Sequence, residues 1–267
     1  MEATFGFIGT GNMGGALACA AAKSVAPERI VLSNRTMAKA ERLAQQLGCR
    51  VGSVRDAAMC TYIFLGVKPQ MMAGVLNEIA PMLAARTDEF VLISMAAGLT
   101  MAQIREMAGD NYPVIRIMPN TPVAVGSGVI LYDFTENVRF EMLDEFLACQ
   151  SKAGFLDPLP EHLIDAGSAV AGCGPAFVCL FLEALADGGV ACGLPRQKAM
   201  EYAARMLEGT ARLALETGKH PGQMKDAVCS PGGSTIAGVR ALEQGGFRAA
   251  AMKAVEDACA RNKELGK

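Results

Sequence analysis

Histidine is almost missing from this chain, with only His162 and His220 in 267 residues, and tryptophan is missing altogether. The nine cysteines (19, 49, 60, 149, 173, 179, 192, 229 and 259) are scattered, odd in number and never spaced C-x-x-C. That pattern offers neither a disulfide framework nor a zinc-ligand set, so the expectation is a reduced, cytoplasmic protein with no metal. An excess of one charge sign is also lacking: 25 Lys and Arg stand against 27 Asp and Glu, a formal net charge of −2. Without a basic patch, neither nucleic acid nor an acidic membrane surface is an expected partner. The longest uncharged run, Ala166 to Leu182, is about 17 residues, carries Gly172, Gly174 and Pro175, and is bracketed by Asp165 and Glu183. It reads as too short for a membrane span. The opening "MEATFGFIGTG" has an acidic residue at position 2 and runs into a strand pattern at once, which fits no signal peptide.

What the chain does have is order along its length. "TFGFIG", "RIVLSN", "TYIFLGV", "FVLISMA" and "PVIRIMP" each read as a buried strand, separated by stretches with helical spacing of Ala, Leu and Met. That alternation predicts a parallel α/β sheet of Rossmann type. "GVILY" and "KAGFLDP", flanking a helix from about Glu136 to Gln150, extend it. After Pro160 the strand signals stop. Helices are predicted over about 162–192 with a break near Gly172 to Pro175, over 195–217, after Pro221, and after Gly232 and Gly245. The division is therefore a dinucleotide-binding domain over 1–160 and an all-helical domain over 161–267. "AFVCLFLEALADGGVACGL" is apolar almost all round, so that helix is buried either within its own chain or, as the small size of the helical part favours, against a partner subunit.

"GFIGTGNMGGALA" places Gly9, Gly11 and Gly14 as G-x-G-x-x-G after a strand and at the opening of a helix, with Asn12 and Met13 between the second and third glycines. The glycines allow a tight turn, close approach of backbone to a pyrophosphate and packing of helix on sheet. An NAD site would place Asp or Glu at the end of the second strand. Here that position reads Ser33, Asn34, Arg35, with no carboxylate. A guanidinium in place of a carboxylate suits a 2′-phosphate, which favours NADPH, with NADH as the second cofactor. The alternative is that Arg35 and Lys39 are a solvated pair at a helix start. Val67, Lys68 and Pro69 in "LGVKPQ", and Asn120 in "IMPNTP", fall at two further strand ends where ligands gather in open α/β sheets.

Hydride transfer to or from an alcohol calls for a general base. β-Hydroxyacid dehydrogenases, with a similar two-part layout, carry a Lys on the long helix after the sheet, whereas "GCGPAFVCLFLEALADGG" has neither Lys nor His. Reduction of a C=N bond asks for less and fits better. "CSPGGSTIAG", Cys229 to Gly238, is the other unusual stretch: Pro and Gly end one helix, and Ser234 and Thr235 open the next, a ready anion site.

"DAVCSPGGSTIAGVRALEQGGF" resembles the C-terminal signature of the pyrroline-5-carboxylate reductases. The resemblance extends through "GFIGTGNMGGAL", "GVKPQ", "IMPNTPV", "LIDAGSAVAGCGPAF", "LADGGVACGLPR" and "HPGQMKDAV". It implies a small-molecule substrate, 1-pyrroline-5-carboxylate, reduced to L-proline. It also implies a carboxylate cradle at Gly233, Ser234 and Thr235 shaped by Ser230 and Gly232, with Ser168 as donor to the imine nitrogen. It implies a homodimer with a shared active site, and beyond it a ring of dimers. Ser168 stands where the family usually has Thr, and "AGCGP" replaces S-G-S-G-P, so Ala171 and Cys173 stand in for serines. Cys173 reads as a small packing residue rather than a nucleophile. Two other readings stay open: a reductase of another cyclic imine acid, and a non-catalytic NADP(H)-binding dimer.

Overall fold

The computed structural model describes residues 4–265. The first half is built on an eight-stranded sheet of order β3-β2-β1-β4-β5-β6-β7-β8. Its strands are β1 Phe5–Ile8, β2 Ile30–Ser33, β3 Arg50–Val51, β4 Tyr62–Leu65, β5 Val91–Ser94, β6 Val114–Pro119, β7 Gly128–Phe134 and β8 Gly154–Pro158. Between them lie α1 Asn12–Ala21, α2 Met37–Leu47, α3 Val54–Ala58, α4 Pro69–Ala84, α5 Met101–Ala108 and α6 Phe140–Gln150. β1, β2, β4 and β5 are buried throughout, because helices cover both faces of the sheet. Phe5 and Phe7 stack on Tyr62 and Phe64 of the neighbouring strand, at centroid distances of 4.9 and 4.2 Å, and belong to one core with α1 and α6. Ile8, Ile63 and Leu65 belong to a second core with α4 and α5.

The expected parallel sheet is found with two differences. β7 runs antiparallel to β6, because the eight-residue link, a short 3-10 turn at Thr121–Val125, is too brief for a crossover. β3 was not foreseen: two exposed edge residues carry no hydrophobic period. Strand order reverses on either side of β1 and β4, the switch point at which open α/β sheets bind ligands beyond the strands' carboxyl ends.

The later helices are α7 Glu161–Gly167, α8 Gly174–Ala191, α9 Arg196–Thr217, α10 Pro221–Val228, α11 Ser234–Gln244 and α12 Phe247–Leu265. The break expected near Gly172 to Pro175 is instead a π-turn, Ser168–Gly172, through which α7 runs into α8. The Cys173 N–H reaches back five residues to the Ser168 carbonyl at 2.9 Å, the bond that marks the widened turn just before Pro175. The helical run Glu161–Ala191 is thus 31 residues long, and by length and composition alone it is sufficient to cross a membrane. The uncharged stretch within it, residues 166–182, is shorter because Asp165 and Glu183 lie inside the helix rather than at its ends.

The chain forms two compact units: one runs to Cys173 and resumes at Ala258, and the other is Gly174–Asp257. The first turns after Pro160 and the end of α12 therefore fall in the compact unit that contains the sheet. In the helical unit α8 buries only Ala186, and Val178 and Leu180 are 51% and 70% exposed. Burial of this helix within its own chain, the first of the two expectations, does not occur.

Candidate active site

Gly9 follows β1 with φ +97°, a left-handed conformation natural only to glycine. Its N–H donates to the Ser33 carbonyl at 2.8 Å, tying β1 to the end of β2. A Cβ on Gly9 would lie 2.5 Å from the Gly66 carbonyl oxygen, and one on Gly14 would lie 2.1 Å from the Gly9 carbonyl oxygen. These two glycines let α1 and the β4 end close on the β1 turn. Gly11 differs: nothing lies within 4 Å of the place its Cβ would occupy. It is the N-cap of α1, with Asn12 and Met13 in the first turn, and no side chain caps the helix. Beside it the hydroxyl of Thr10 is buried with no hydrogen-bond partner among the described residues. Open space at Gly11, uncapped N–H groups and an orphaned hydroxyl together fit a bound dinucleotide pyrophosphate. The reading of the sequence missed Thr10, although it stands inside the quoted motif.

The other predicted cofactor residues gather along the same edge. Ser33 is buried at the end of β2. The Asn34 side-chain amide donates to the Thr36 carbonyl at 3.0 Å, shaping the turn, and Arg35 is exposed with no carboxylate partner among the described residues. At the end of β4 the Val67 side chain comes 3.1 Å from the position of a Gly9 Cβ. Lys68 is the exposed N-cap of α4, and Pro69 opens that helix. Asn120 follows β6. Its side chain is engaged with protein at both ends: Nδ2 donates to the Ala171 carbonyl at 3.0 Å, and Oδ1 accepts the Val129 N–H at 2.9 Å.

Ser168 is buried at the start of the π-turn, and its hydroxyl makes no hydrogen bond among the described residues. Gly172 leaves it room, since a Cβ there would stand 2.9 Å from Ser168 Oγ. The segment that carries Ser168 is fastened by Arg116, a charge the sequence reading passed over in the middle of a buried strand. Its guanidinium meets Glu161 at 3.2 Å and Asp165 at 3.3 Å. Glu161 also accepts the Met101 N–H at 2.7 Å, while its own N–H donates to Asp133 at 2.6 Å. Asn262 donates to the Asp165 carbonyl at 3.2 Å.

The "CSPGGST" loop lies in the helical unit. Gly233 N–H donates to the Ser230 carbonyl at 3.0 Å across a turn with Pro231 second and Gly232 third, at φ +68°. A Cβ on Gly233 would lie 2.4 Å from Ser230 Oγ and 3.2 Å from the Ser230 carbonyl oxygen, so a larger residue there would have to turn the Ser230 side chain away. Gly233 caps α11, and no side chain satisfies the N–H groups of the turn that Ser234 and Thr235 open. Backbone N–H groups left uncapped at a helix start are the kind of donors that can hold an anion. Among the described residues no three His, Cys, Asp or Glu side chains are grouped to hold a metal ion.

Residues 161–265 match the family described as pyrroline-5-carboxylate reductase dimerisation, and residues 4–98 match that described as NADP oxidoreductase coenzyme F420-dependent. The chain is 40% identical over 271 residues to pyrroline-5-carboxylate reductase of a Synechocystis species, covering 100% of both proteins. It is 38% identical to that of Escherichia coli, again with 100% coverage of both. The solved structure of Plasmodium falciparum pyrroline carboxylate reductase with NADP bound superposes with a TM-score of 0.89 at 31% identity, covering 100% of this chain and 99% of the other.

Proposed function

The chain belongs to the pyrroline-5-carboxylate reductase family, and from that membership we propose how its residues divide the reaction among themselves. The reaction adds a hydride to the C=N carbon of 1-pyrroline-5-carboxylate and a proton from solvent to its nitrogen, giving L-proline and the oxidised cofactor. Bound NAD(P)H supplies the hydride. The Gly9–Gly14 turn and the first N–H groups of α1 hold the pyrophosphate, and Val67, Lys68 and Pro69 border the cofactor at the end of β4. Arg35, exposed and unpaired, grips the 2′-phosphate, which favours NADPH over NADH. The observation that carries the substrate half is the uncapped start of α11 behind the Ser230–Gly233 turn. There the backbone N–H groups of Gly233, Ser234 and Thr235, with the Thr235 hydroxyl, take the substrate carboxylate. The hydroxyl of the buried Ser168, which has no hydrogen bond among the described residues, donates to the imine nitrogen and so favours the electron-poor carbon that accepts hydride. Catalysis then rests on orientation, and no protein base is required.

The dimerisation match makes the protein an oligomer. The exposed apolar surface of α8 and an apolar groove of about 1090 Å³ along α9 and α10, lined by Leu207, Ala211, Ala214, Met224 and Val228, support a second copy as their cover. Lipid is the poorer cover for the run Glu161–Ala191, which carries Glu183 and Asp187 on α8 and has Asp165 paired to Arg116. In the dimer the carboxylate loop of one subunit completes the site of the other, dimers join in a ring, and the protein works in the cytoplasm without metal, membrane or nucleic acid.

The test is loss of NADPH absorbance on adding 1-pyrroline-5-carboxylate, beside NADH and beside a six-membered cyclic imine acid. Rapid turnover of the five-membered ring, faster with NADPH, is expected. Turnover of the six-membered ring alone, or NADPH binding without turnover, would refute the assignment. Mixing Ser168→Ala with Thr235→Ala subunits should restore activity through the intact hybrid site. A mixture as inactive as either variant would exclude a shared site.

A further inference from the structure

We infer that Asn120 is a positioning residue that fixes the Ser168 turn, and that its side chain is not a cofactor ligand. The inference rests on Ser168 acting at the imine nitrogen. In an α-helix the Ala171 carbonyl would accept the N–H of residue 175, but residue 175 is proline and has none. Asn120 Nδ2 supplies the missing donor at 3.0 Å, across 51 residues of sequence. Its Oδ1 is held in turn by the Val129 N–H, so the amide is oriented from both sides, and the residue is 7% exposed.

The bond falls on the turn that matters. Ala171 lies within the π-turn that Ser168 opens, and the same turn is closed by the Cys173 N–H on the Ser168 carbonyl. The Ser168 hydroxyl packs over Gly172, the residue after Ala171, so a shift of the turn moves the hydroxyl directly. β6 therefore grips the helical segment twice. Arg116 holds Asp165, just before Ser168, and Asn120 holds Ala171, just after it. Because Asn120 immediately follows the carboxyl end of β6, an edge at which open α/β sheets bind ligands, this amide ties that edge to the imine donor.

Asn120→Asp keeps the acceptor for the Val129 N–H and removes the donor to Ala171. At saturating NADPH it should lower kcat/KM for the imine acid about tenfold, the effect of one lost buried hydrogen bond. NADPH affinity, read by fluorescence titration, should stay within about twofold, and in a Ser168→Ala background the same change should add less than about twofold. Pro175→Ala restores an N–H beneath the Ala171 carbonyl and should recover most of the activity lost in Asn120→Asp. An Asn120→Asp penalty undiminished in the Ser168→Ala background would overturn the inference while leaving the reaction assignment intact. So would a fall in NADPH affinity at unchanged kcat. A Ser168→Ala enzyme as active as wild type would instead remove the role of Ser168 itself, and the inference with it.

Discussion

Gly11→Ala and Gly14→Ala should separate ligand space from packing space within one six-residue motif. At Gly14 the new methyl would stand 2.1 Å from the Gly9 carbonyl oxygen, a contact between two backbones that neither side can relieve by a rotamer change. Overpacking of this kind costs about 1–3 kcal/mol, and an overlap this deep sits at the upper end. The gain in helix propensity from Gly to Ala, about 1 kcal/mol, offsets part of it, leaving a net loss of about 2 kcal/mol. At Gly11 the backbone has φ −71°, and nothing lies within 4 Å of the new methyl. The weaker N-cap costs about 0.5 kcal/mol, and the stiffer unfolded chain returns about as much, so stability should be unchanged. The methyl does occupy the approach to the pyrophosphate, and a hundredfold loss of NADPH affinity corresponds to about 2.7 kcal/mol. Thermal melts with and without NADPH read both quantities. At a hundred times the wild-type Kd the cofactor stabilises wild type by about 2.7 kcal/mol and Gly11→Ala by only about 0.4 kcal/mol. A full cofactor shift in Gly11→Ala, or a Gly14→Ala protein as stable as wild type, would refute the division of roles.

Thr235→Ala should raise KM for the imine acid about tenfold through loss of a charge-assisted hydrogen bond, with NADPH affinity unchanged. Unaltered kinetics would mean that the loop holds no carboxylate. Arg35→Ala should weaken NADPH about tenfold or more and leave NADH binding alone. Equal losses in parallel titrations would show that Arg35 does not read the 2′-phosphate. Arg116→Met strands Glu161 and Asp165, each about one-quarter exposed, and should cost about 3 kcal/mol in urea unfolding. A cost below about 1 kcal/mol would mean that water satisfies both carboxylates unaided. Burial pushes the Cys149 thiol up to about 12 from 9.0. The folded pKa is the higher one, so the stability held by the neutral thiol is complete below pH 9 and lost as pH rises towards 12. Wild type should therefore lose about 1.4 kcal/mol more per pH unit in that window than Cys149→Ala. Parallel slopes for the two proteins would show that the thiol ionises without cost.

The sheet and the cofactor turn were legible because their signals are local. A strand buried on both faces is a continuous apolar run, and Gly9 and Gly14 of "GFIGTGNMGG" are required by backbone of the same motif or at the end of the next parallel strand. β3 carried no such signal, and the direction of β7 depended on the length of the link before it rather than on its composition. Arg116 left a readable trace, since a charge within the apolar run "VIRIMP" implies buried counter-charges elsewhere. Nothing local identified Glu161 and Asp165 as those partners.

The π-turn shows where local reading reaches its end. Pro175 and the glycines before it correctly marked a place where the helix loses a backbone donor, and a break is the usual outcome when water must satisfy the stranded carbonyl. A break is unnecessary when another element brings a donor, and here Asn120 does so from the end of β6. Asn120 and Pro175 were both visible, one read as a cofactor contact and the other as a helix breaker. Only their juxtaposition shows that each explains the other. Proline leaves a carbonyl that needs a partner, the amide provides one, and the widened turn between them presents a free hydroxyl at Ser168.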